Sequence, residues 1–542
     1  MNGAESLHGV QTVFLLLMVF VAVFAVIARR LEVPYPIVLV IAGLGISLVP
    51  GLPHITLNPE VVFLVILPPL LFSSAWVMSL REFKFNLVSI GMLAVGLVGF
   101  TVWGVAMFAD HFIPGLGWQA GFVLGAVVSP TDAIAATSIA RTLGLPRRIT
   151  DLLEGESLVN DATGLLALEF GVMMLVDGHT PTVGAGLLRL LWLILGGTGV
   201  GLVIGVVAAW FERWIDDGPI EIVISLVVPY AAYLAGESAK ASGVIAVVAC
   251  GLYMSRKSAI YFSAETRIQV NAVWDALTFM LNGIVFVLIG LQLPYVVTGI
   301  RGYGVKGLIL YGSVFSVVLI LLRLLWMFPS SEVAYQIRTK LLKQKYERGT
   351  PRGIFVVGWT GMRGVIALAA AISLPNMLGN GQPFVGKNLI VFLTFSVILV
   401  TLVVQGLSLP PLIRALGLAG DKTVRVEEEE ARRLVLKEVI QFLQTGWEKD
   451  GKESAHAYED LLHQYGHRME ALIEEASDGD HTEHQHGGTS LLALTKRAVE
   501  VERQTMLRLR DEGRISDEVL RMLEYELDLT ESRANSRAPG AS

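Results

Sequence analysis

Runs of about 20 apolar residues recur through the first 420 residues and constrain the fold more than any other feature. A run of this length crosses a hydrocarbon layer of roughly 30 Å as a helix. The chain is 53% hydrophobic and only 17% charged, which is less charge than a soluble protein carries. Backbone groups in lipid must be satisfied within their own segment, and this favours helices. The sequence therefore predicts an all-α polytopic membrane protein.

The apolar runs divide into about thirteen spans. If the N-terminus lies outside the cell, the inside loops hold 17 lysines and arginines and the outside loops hold 4. Because cytoplasmic loops carry the basic excess, this count predicts an external N-terminus and a cytoplasmic C-terminus in a cell membrane. The spans are placed at about 10–28, 35–52, 59–78, 86–109, 117–140, 150–176, 185–211, 219–236, 241–255, 271–295, 304–328, 353–375 and 388–413.

Composition changes sharply near Gly420. Residues 421–542 contain 27 acidic and 17 basic residues and no long apolar run. We therefore predict a transmembrane exchange domain at 1–420 and a cytoplasmic, mostly helical regulatory tail at 421–542. One helical face of the tail carries apolar residues at helical spacing, namely Leu434, Leu436, Val439, Ile440 and Leu443. A later loop with His481, His484 and His486 is interpreted as a solvated segment, with metal binding as the alternative.

Polar residues inside the sixth span indicate an ion site. The segment GESLVNDATG places Ser157 and Asp161 four residues apart, and therefore on one helical face. Glu156 and Asn160 share the adjacent face. A carboxylate with a hydroxyl offers hard oxygen ligands, which suit an alkali cation or a proton. A structural hydrogen bond to a neighbouring helix is the alternative for Asp161.

Two spans carry signals of interruption. Pro130 in SPTDAIA removes a backbone donor, and Asp132 follows at the point where the helix would restart. In TGMRG, glycines flank the buried Arg363. One interrupted span in each half predicts a site between inverted repeats. For Asp132 a structural role at a half-helix end is favoured over ion contact, and for Glu156 and Arg363 a structural ion pair is favoured.

The ordered motifs SPTDAIA, GESLVNDATG, ASGVIAVVACGL, FMLNGIVFVLIGLQL and GMRGVIALAAAISLP resemble those of the sodium/proton exchangers of the first cation/proton antiporter family. The likeness covers residues 10–415 and leaves out the tail. It implies an NhaA-type fold with two inverted repeats, a transport core, a dimerisation domain and a homodimer. It also implies that Asp161 carries the cation and the proton in turn. The ion-binding residues implied are Asp161, Ser157, Asn160, Thr131 and Asp132.

The same resemblance bears on charge movement and on structure. The Asn-Asp pair resembles the electroneutral branch of the family, since electrogenic members carry two aspartates there. Glu156 and Arg363 match a buried pair that holds the core together. Many members carry a carboxylate after LPPLLF, where this chain has Ser73, so a ligand or relay from that position is not expected.

The sequence thus predicts a secondary antiporter that exchanges a monovalent cation for H+ in pH and cation homeostasis. Na+ is the favoured cation, with K+ or Li+ as alternatives. No enzyme activity, cofactor, resident metal or nucleic-acid partner is expected. Two other classes stay open. An intramembrane protease could use Asp132 and Asp161, although the Gly-x-Gly-Asp context is missing, and a passive cation channel would conduct without a proton gradient.

Overall fold

A computed structural model describes the chain at residues 2–49, 57–176, 178, 182–215, 217–300, 304–378, 381–420, 423–450, 455–474 and 489–536. These residues are helical apart from turns, loops and one isolated bridge between Met377 and Pro383. The predicted all-α class is confirmed for this part of the chain. The three histidines of the tail loop, at 481, 484 and 486, lie outside the described residues.

The first 420 residues form a series of apolar helices joined by short loops. Their bounds are α1 Asn2–Arg30, α2 Tyr35–Ser47, α3 Pro59–Val77, α4 Leu80–Phe112, α5 Trp118–Val128, α6 Ile134–Thr142, α7 Arg147–Val176, α8 Val183–Glu212, α9 Gly218–Ser238, α10 Gly243–Tyr261, α11 Ala264–Leu291, α12 Leu293–Gly299, α13 Val305–Gln336, α14 Pro351–Trp359, α15 Val365–Ile372 and α16 Lys387–Ala415.

Eight helical segments of the described residues are long and apolar enough to cross a membrane. They comprise α3, α4, α7, α8, α9, α11 together with α12, α13 and α16, and two shorter apolar helices are α2 and α5. The other predicted spans fall on α1, on α10 and on the pair α14 and α15. A polytopic helical protein is therefore confirmed, whereas the number thirteen stays a prediction.

Both predicted interruptions are present. Residues 129–133 separate α5 from α6, and residues 360–364 separate α14 from α15. Pro130 cannot donate to the helical ladder, and Gly364 has an extended backbone with φ −117° and ψ −163°. The α5 helix packs on α4, α7 and α15, while α15 also packs on α16. The two breaks therefore lie inside the largest apolar core of the molecule, which includes Val128 and Met362.

The chain separates into two compact units. The first comprises residues 1–211, 223–257 and 273–420. The second comprises residues 212–222, 258–272 and 421–542, so it combines the tail with two segments that join membrane helices. Tail residues form α17 Thr423–Asp450, α18 Ala455–Glu474, α19 Thr489–Asp511 and α20 Asp517–Ser536.

Apolar stripes hold the tail helices together. Leu436, Val439 and Leu443 are buried in one cluster with residues of α18 and α19, and Leu434 and Ile440 are partly buried beside such clusters. The apolar face predicted for the start of the tail is therefore confirmed. A second cluster joins α17, α19 and α20 through residues such as Val435, Met506 and Leu523, so the tail has apolar cores of its own.

Candidate functional site

The two interrupted helices cross at their breaks. The backbone N–H of Asp132 donates to the Met362 carbonyl at 2.8 Å. In the opposite direction, the Arg363 Nε donates to the Val128 carbonyl at 3.0 Å. Unpaired backbone groups in an apolar core cost free energy, and each break supplies partners for the other. The crossing is therefore a fixed element of the fold, with polar side chains gathered around it.

Asp132 lies at the start of two half-helices. Its Oδ1 accepts the N–H of Ile134, the first residue of α6, at 2.8 Å. A Cβ at Gly364, the residue before α15, would lie 2.4 Å from Asp132 Oδ2, so only glycine allows the carboxylate this close. Helix N-termini carry partial positive charge. The Asp132 carboxylate is therefore positioned for the structural role at a half-helix end that the sequence predicts for it.

Arg363 lies at the ends of the two preceding half-helices, α5 and α14. Its guanidinium donates to the carbonyl of Val128, the last residue of α5, and to that of Gly361, just after α14. The Arg363 backbone N–H donates to Thr401 Oγ1 at 3.2 Å. Because helix C-termini carry partial negative charge, one cation and one carboxylate balance the four half-helix ends at the crossing.

One face of α7 lies against the first break. Ser157, Asp161 and Gly164 recur at helical spacing on that face. The Ala133 N–H donates to Ser157 Oγ over a long 3.4 Å, and a Cβ at Gly164 would lie 2.4 Å from Pro130 Cγ. The structure thus brings the predicted Ser157 and Asp161 together beside the interrupted backbone.

The Asp161 carboxylate is buried and unpaired. Its residue is only 4% exposed, and it accepts no hydrogen bond from any residue that the structure describes. Asp132 is near enough to repel it electrostatically. A carboxylate without donors or a cation is costly at such depth. A proton or a bound cation would offset this cost.

The adjacent face of α7 carries a chain of hydrogen bonds. Asn160 Nδ2 donates to Thr131 Oγ1 at 2.7 Å, and Thr131 Oγ1 donates to Glu156 Oε1 at 3.0 Å. One turn on, Thr163 donates to the Ala94 carbonyl. Thr131 is therefore engaged in the network on both sides. The Asn160 Oδ1 is buried without a partner among the described residues and is a free oxygen near Asp161.

Glu156 forms its ion pair with Arg323 of α13 rather than with Arg363. Arg323 Nη2 donates to Glu156 Oε2 at 2.8 Å and to the Val357 carbonyl at 3.1 Å, and Nη1 donates to Glu156 Oε1. Both side chains are 1% exposed. Arg363 lies near enough for electrostatic attraction to Glu156, but its donors go to carbonyls. The predicted buried pair is present with a different arginine.

The sequence does carry a signal for Arg323. It is the only charged residue between Lys306 and Glu332, and a charge within a spanning run marks a functional or structural partner. Its route to Glu156 depends on Gly361, because a Cβ there would lie 2.3 Å from Arg323 Cδ. This glycine of the second break therefore makes room for the arginine of the pair.

Tyr35 and Asn282 form a further polar contact near the crossing. Their side chains share a hydrogen bond, and Tyr35 interacts electrostatically with Asp132. Asn282 is 3% exposed and its Oδ1 is unpaired among the described residues. Tyr35 was not singled out from the sequence, because a tyrosine at the start of an apolar helix resembles an ordinary interface anchor.

The oxygen ligands at this site are chemically hard. Among the predicted ion ligands, Asp161 and the side-chain oxygen of Asn160 have no hydrogen-bond partner in the described residues, and Ser157 Oγ has only the long contact with the Ala133 N–H. Thr131 and the Oδ1 of Asp132 are already engaged. No group of three His, Cys, Asp or Glu residues suited to a resident metal occurs in the described ranges. Interrupted helices that surround buried charges in a polytopic protein are the architecture of secondary transporters.

The chain belongs to the family described as sodium/hydrogen exchanger, transmembrane, which matches residues 15–415. It is 32% identical over 540 residues to a protein of Mycobacterium bovis named as an uncharacterized Na+/H+ exchanger, covering 98% of each chain. A Bacillus pumilus protein named as a sodium, potassium, lithium and rubidium/H+ antiporter is 31% identical over 482 residues, which is 85% of this chain and 70% of the relative. The predicted family is confirmed.

A solved structure of a sodium proton antiporter from Methanocaldococcus jannaschii, determined at pH 8, shares the fold. The TM-score is 0.56 at 19% identity, covering 77% of this chain and all of the other. The mycobacterial relative, by contrast, matches nearly the whole chain, so that its likeness extends into the tail.

Proposed function

We propose that this protein is a secondary antiporter that exchanges a monovalent cation for H+, with Asp161 as the shared carrier. The observation that carries the proposal is the buried Asp161 carboxylate, which has no hydrogen-bond partner among the described residues. Membership of the sodium/hydrogen exchanger family supports the reaction class. Na+ is the proposed principal cation, with K+ and Li+ as further candidates, as the name of the Bacillus pumilus relative suggests.

The exchange follows from competition for one carboxylate. A proton neutralises Asp161 and removes the charge that a cation needs, while a bound cation excludes the proton. Ser157 Oγ and the unpaired Asn160 Oδ1 are proposed to complete the oxygen ligands around the cation. Asp132 is proposed to add a second negative charge close by. Its Oδ1 accepts the N–H of Ile134 at the start of α6, so we propose that Asp132 contributes through its charge and is not a direct ligand.

We propose one proton for each cation. Asn160 is neutral and its amide is bonded to Thr131, so it carries no second exchangeable proton. Ser73 donates to the Leu70 carbonyl and supplies no carboxylate. Asp132 Oδ1 accepts the N–H of Ile134 at the start of α6. A single titrating carrier gives electroneutral exchange with a monovalent cation.

The pH profile and the voltage response test this function. In proteoliposomes, cation-driven proton flux should be bell-shaped in pH. At low pH Asp161 is protonated and cannot bind the cation, and at high pH too few protons are available for the half of the cycle that carries them. Raising the cation concentration should move the acidic limb to lower pH. A membrane potential alone should drive no exchange.

Three results would contradict the proposal at different points. Exchange driven by potential alone would exclude the one-to-one count. If the acidic limb of the pH profile did not move with cation concentration, competition of the cation and the proton for one carrier would be excluded. Cation flux that is insensitive to the proton gradient would indicate a channel instead of an antiporter.

The wider setting is proposed from sequence and family together. Residues 1–420 form the exchange domain with an NhaA-type inverted-repeat arrangement, and the protein acts as a homodimer in the cell membrane. The excess of basic residues in alternate loops supports an N-terminus outside and a tail in the cytoplasm. Exchange in this orientation serves pH and cation homeostasis.

The tail is proposed to regulate exchange through the start of α11. Within the second compact unit, Arg267 of α11 forms a buried bidentate ion pair with Asp528 of α20, with Nε to Oδ2 at 2.7 Å. Arg503 donates to the same aspartate at 3.1 Å. Burial raises the pKa of nearby Glu524, and both arginines oppose that rise. The α11 helix continues to Asn282, so a change at Arg267 acts on a helix of the exchange domain.

Replacing Asp528 by asparagine should shift the apparent cation affinity or the pH dependence severalfold without abolishing exchange. The variant leaves the buried Arg267 and the partly buried Arg503 without this carboxylate, and breaking a buried pair costs about 3–5 kcal/mol. The matched control is Glu526→Gln. Glu526 lies on the same helix as Asp528, and its replacement removes a partly exposed salt bridge to Arg432. Limited proteolysis should show that the Asp528→Asn tail is cleaved more readily than that of wild type. If it is, and the transport curves of the two proteins are still identical, regulation through this contact is refuted.

A further inference from the structure

The chain turns back sharply after the long apolar helix α13. A wide helical turn at Ile337–Leu341 ends the helix, and Lys343 has a left-handed backbone with φ 52°. The Gln344 N–H then donates to the Arg338 carbonyl at 2.9 Å. Residues 340–345, called the lysine loop below, therefore have a defined backbone path at the end of a membrane span.

Arg338 anchors this loop to the membrane helices. Its guanidinium carbon lies 3.4 Å from the ring centroid of Tyr346 and 4.3 Å from that of Phe85. It donates to the Phe85 carbonyl of α4 at 2.6 Å and to Gln344 Oε1 at 3.0 Å. Arg148 of α7 stacks on Tyr346 at 3.9 Å. Cation–π contacts and hydrogen bonds from both sides hold the lysine loop in one shape.

The lysine loop presents exposed cations that form no ion pair with a described residue, although Lys340 lies near enough to Glu332 for electrostatic attraction. Lys340, Lys343 and Lys345 are exposed, and none makes a salt bridge to a described residue. Arg348, three residues further on, differs because it pairs with Glu332 at 2.5 Å. Three ammonium groups within six residues repel one another in the absence of an anion. The loop is therefore complementary to negative charge supplied from elsewhere.

Two exposed leucines lie between these lysines. Leu341 is 75% exposed and Leu342 is 49% exposed, and they separate Lys340 from Lys343. Leu341 is the last residue of an apolar span and Leu342 is the next residue, so both lie at the depth where acyl chains meet headgroups. Apolar side chains there enter the acyl layer while lysines extend to the phosphates.

We propose that the lysine loop is a binding site for anionic phospholipid, with the three lysines on the headgroup phosphate and the two leucines in the acyl region. A soluble phosphate would account for the lysines but would leave the leucines in water. The basic loops predict that this end of α13 is cytoplasmic, and the cytoplasmic leaflet is the negatively charged one. A phospholipid satisfies the charge and the apolar surface together.

Lipid binding by the full-length purified chain tests the site. The protein in detergent is titrated with phosphatidylglycerol, with phosphatidylcholine and with inorganic phosphate, and bound lipid is counted by native mass spectrometry. Wild type should retain phosphatidylglycerol selectively, and added salt should weaken its binding. Changing all three lysines to glutamine should weaken phosphatidylglycerol binding about a hundredfold, at about fivefold per lysine.

Single variants supply the matched comparison. Lys343→Gln and Arg348→Gln remove one charge each from neighbouring exposed positions, and Gln keeps the left-handed strain at 343 unchanged. Only Lys343→Gln should weaken lipid binding, since Arg348 is already paired. Leu341→Ser with Leu342→Ser should weaken phosphatidylglycerol binding while all charges remain. The unfolding midpoint without added lipid should be the same for all variants.

Four results would overturn the proposal. The first is equal retention of phosphatidylglycerol and phosphatidylcholine, and the second is unchanged lipid binding by the triple lysine variant. The third is competition by inorganic phosphate together with no effect of the leucine changes. The fourth is a triple lysine variant in which the protease sensitivity of the acidic tail changes but lipid binding does not. The third would assign the loop to a soluble anion, and the fourth would assign it to the tail of this chain.

Discussion

Asp161→Asn should reduce cation-driven proton exchange to the level of protein-free vesicles while the protein still inserts and folds. The amide has the size and shape of the carboxylate, but it can neither bind a proton nor offer a full negative charge to a cation. Asp161 accepts no hydrogen bond from the described residues, so the change breaks no contact. It also removes repulsion from Asp132, so thermal stability should be equal to or higher than that of wild type.

The matched control for this change is Asp275→Asn. Asp275 lies on α11 and is exposed, and its replacement alters the formal charge equally without touching the crossing. Exchange by this variant should be near wild type. Stopped-flow fluorescence of a pH dye in proteoliposomes, with protein content normalised, measures both. Robust exchange by Asp161→Asn would exclude Asp161 as the carrier.

Glu156→Gln or Arg323→Gln should each lower the free energy of unfolding by about 3–5 kcal/mol, because each leaves a buried charge without its partner. The double variant should lose less than the sum of the two single losses. Part of the loss will persist in the double variant, since Arg323 also donates to the Val357 carbonyl. Denaturant unfolding of the detergent-solubilised protein measures the three values.

A second cycle distinguishes Arg323 from Arg363. Arg363 donates to the Val128 and Gly361 carbonyls, so its loss mainly leaves helix ends without a cation. Glu156→Gln combined with Arg363→Gln should therefore be closer to additive than the Arg323 combination. Additive losses for Glu156 with Arg323, together with strong coupling for Glu156 with Arg363, would mean that the sequence-based pairing is correct and the observed ion pair is not.

Properties that depend on local sequence could be predicted before the structure was seen. Apolar run length predicts membrane helices, because hydrocarbon thickness sets the number of residues needed. Pro130 and the glycines of TGMRG predict interruptions, because each acts on the backbone of its own segment. The spacing of Ser157 and Asp161 predicts a shared face. These predictions needed no knowledge of which helices are neighbours.

The identity of contacts between distant segments was decided only by tertiary packing. Sequence shows that Glu156 needs a cation, but Arg323 and Arg363 both lie within predicted spans far along the chain. Which arginine pairs with Glu156 depends on how α7, α13 and the break between α14 and α15 are rotated and spaced. It also depends on Gly361, which leaves room for Arg323. Likewise, the crossing gives Arg363 two helix ends to neutralise. The composition of a span and the helical periodicity of its residues determine where a side chain lies along its own helix. The partner of that side chain depends on how separate helices pack in three dimensions.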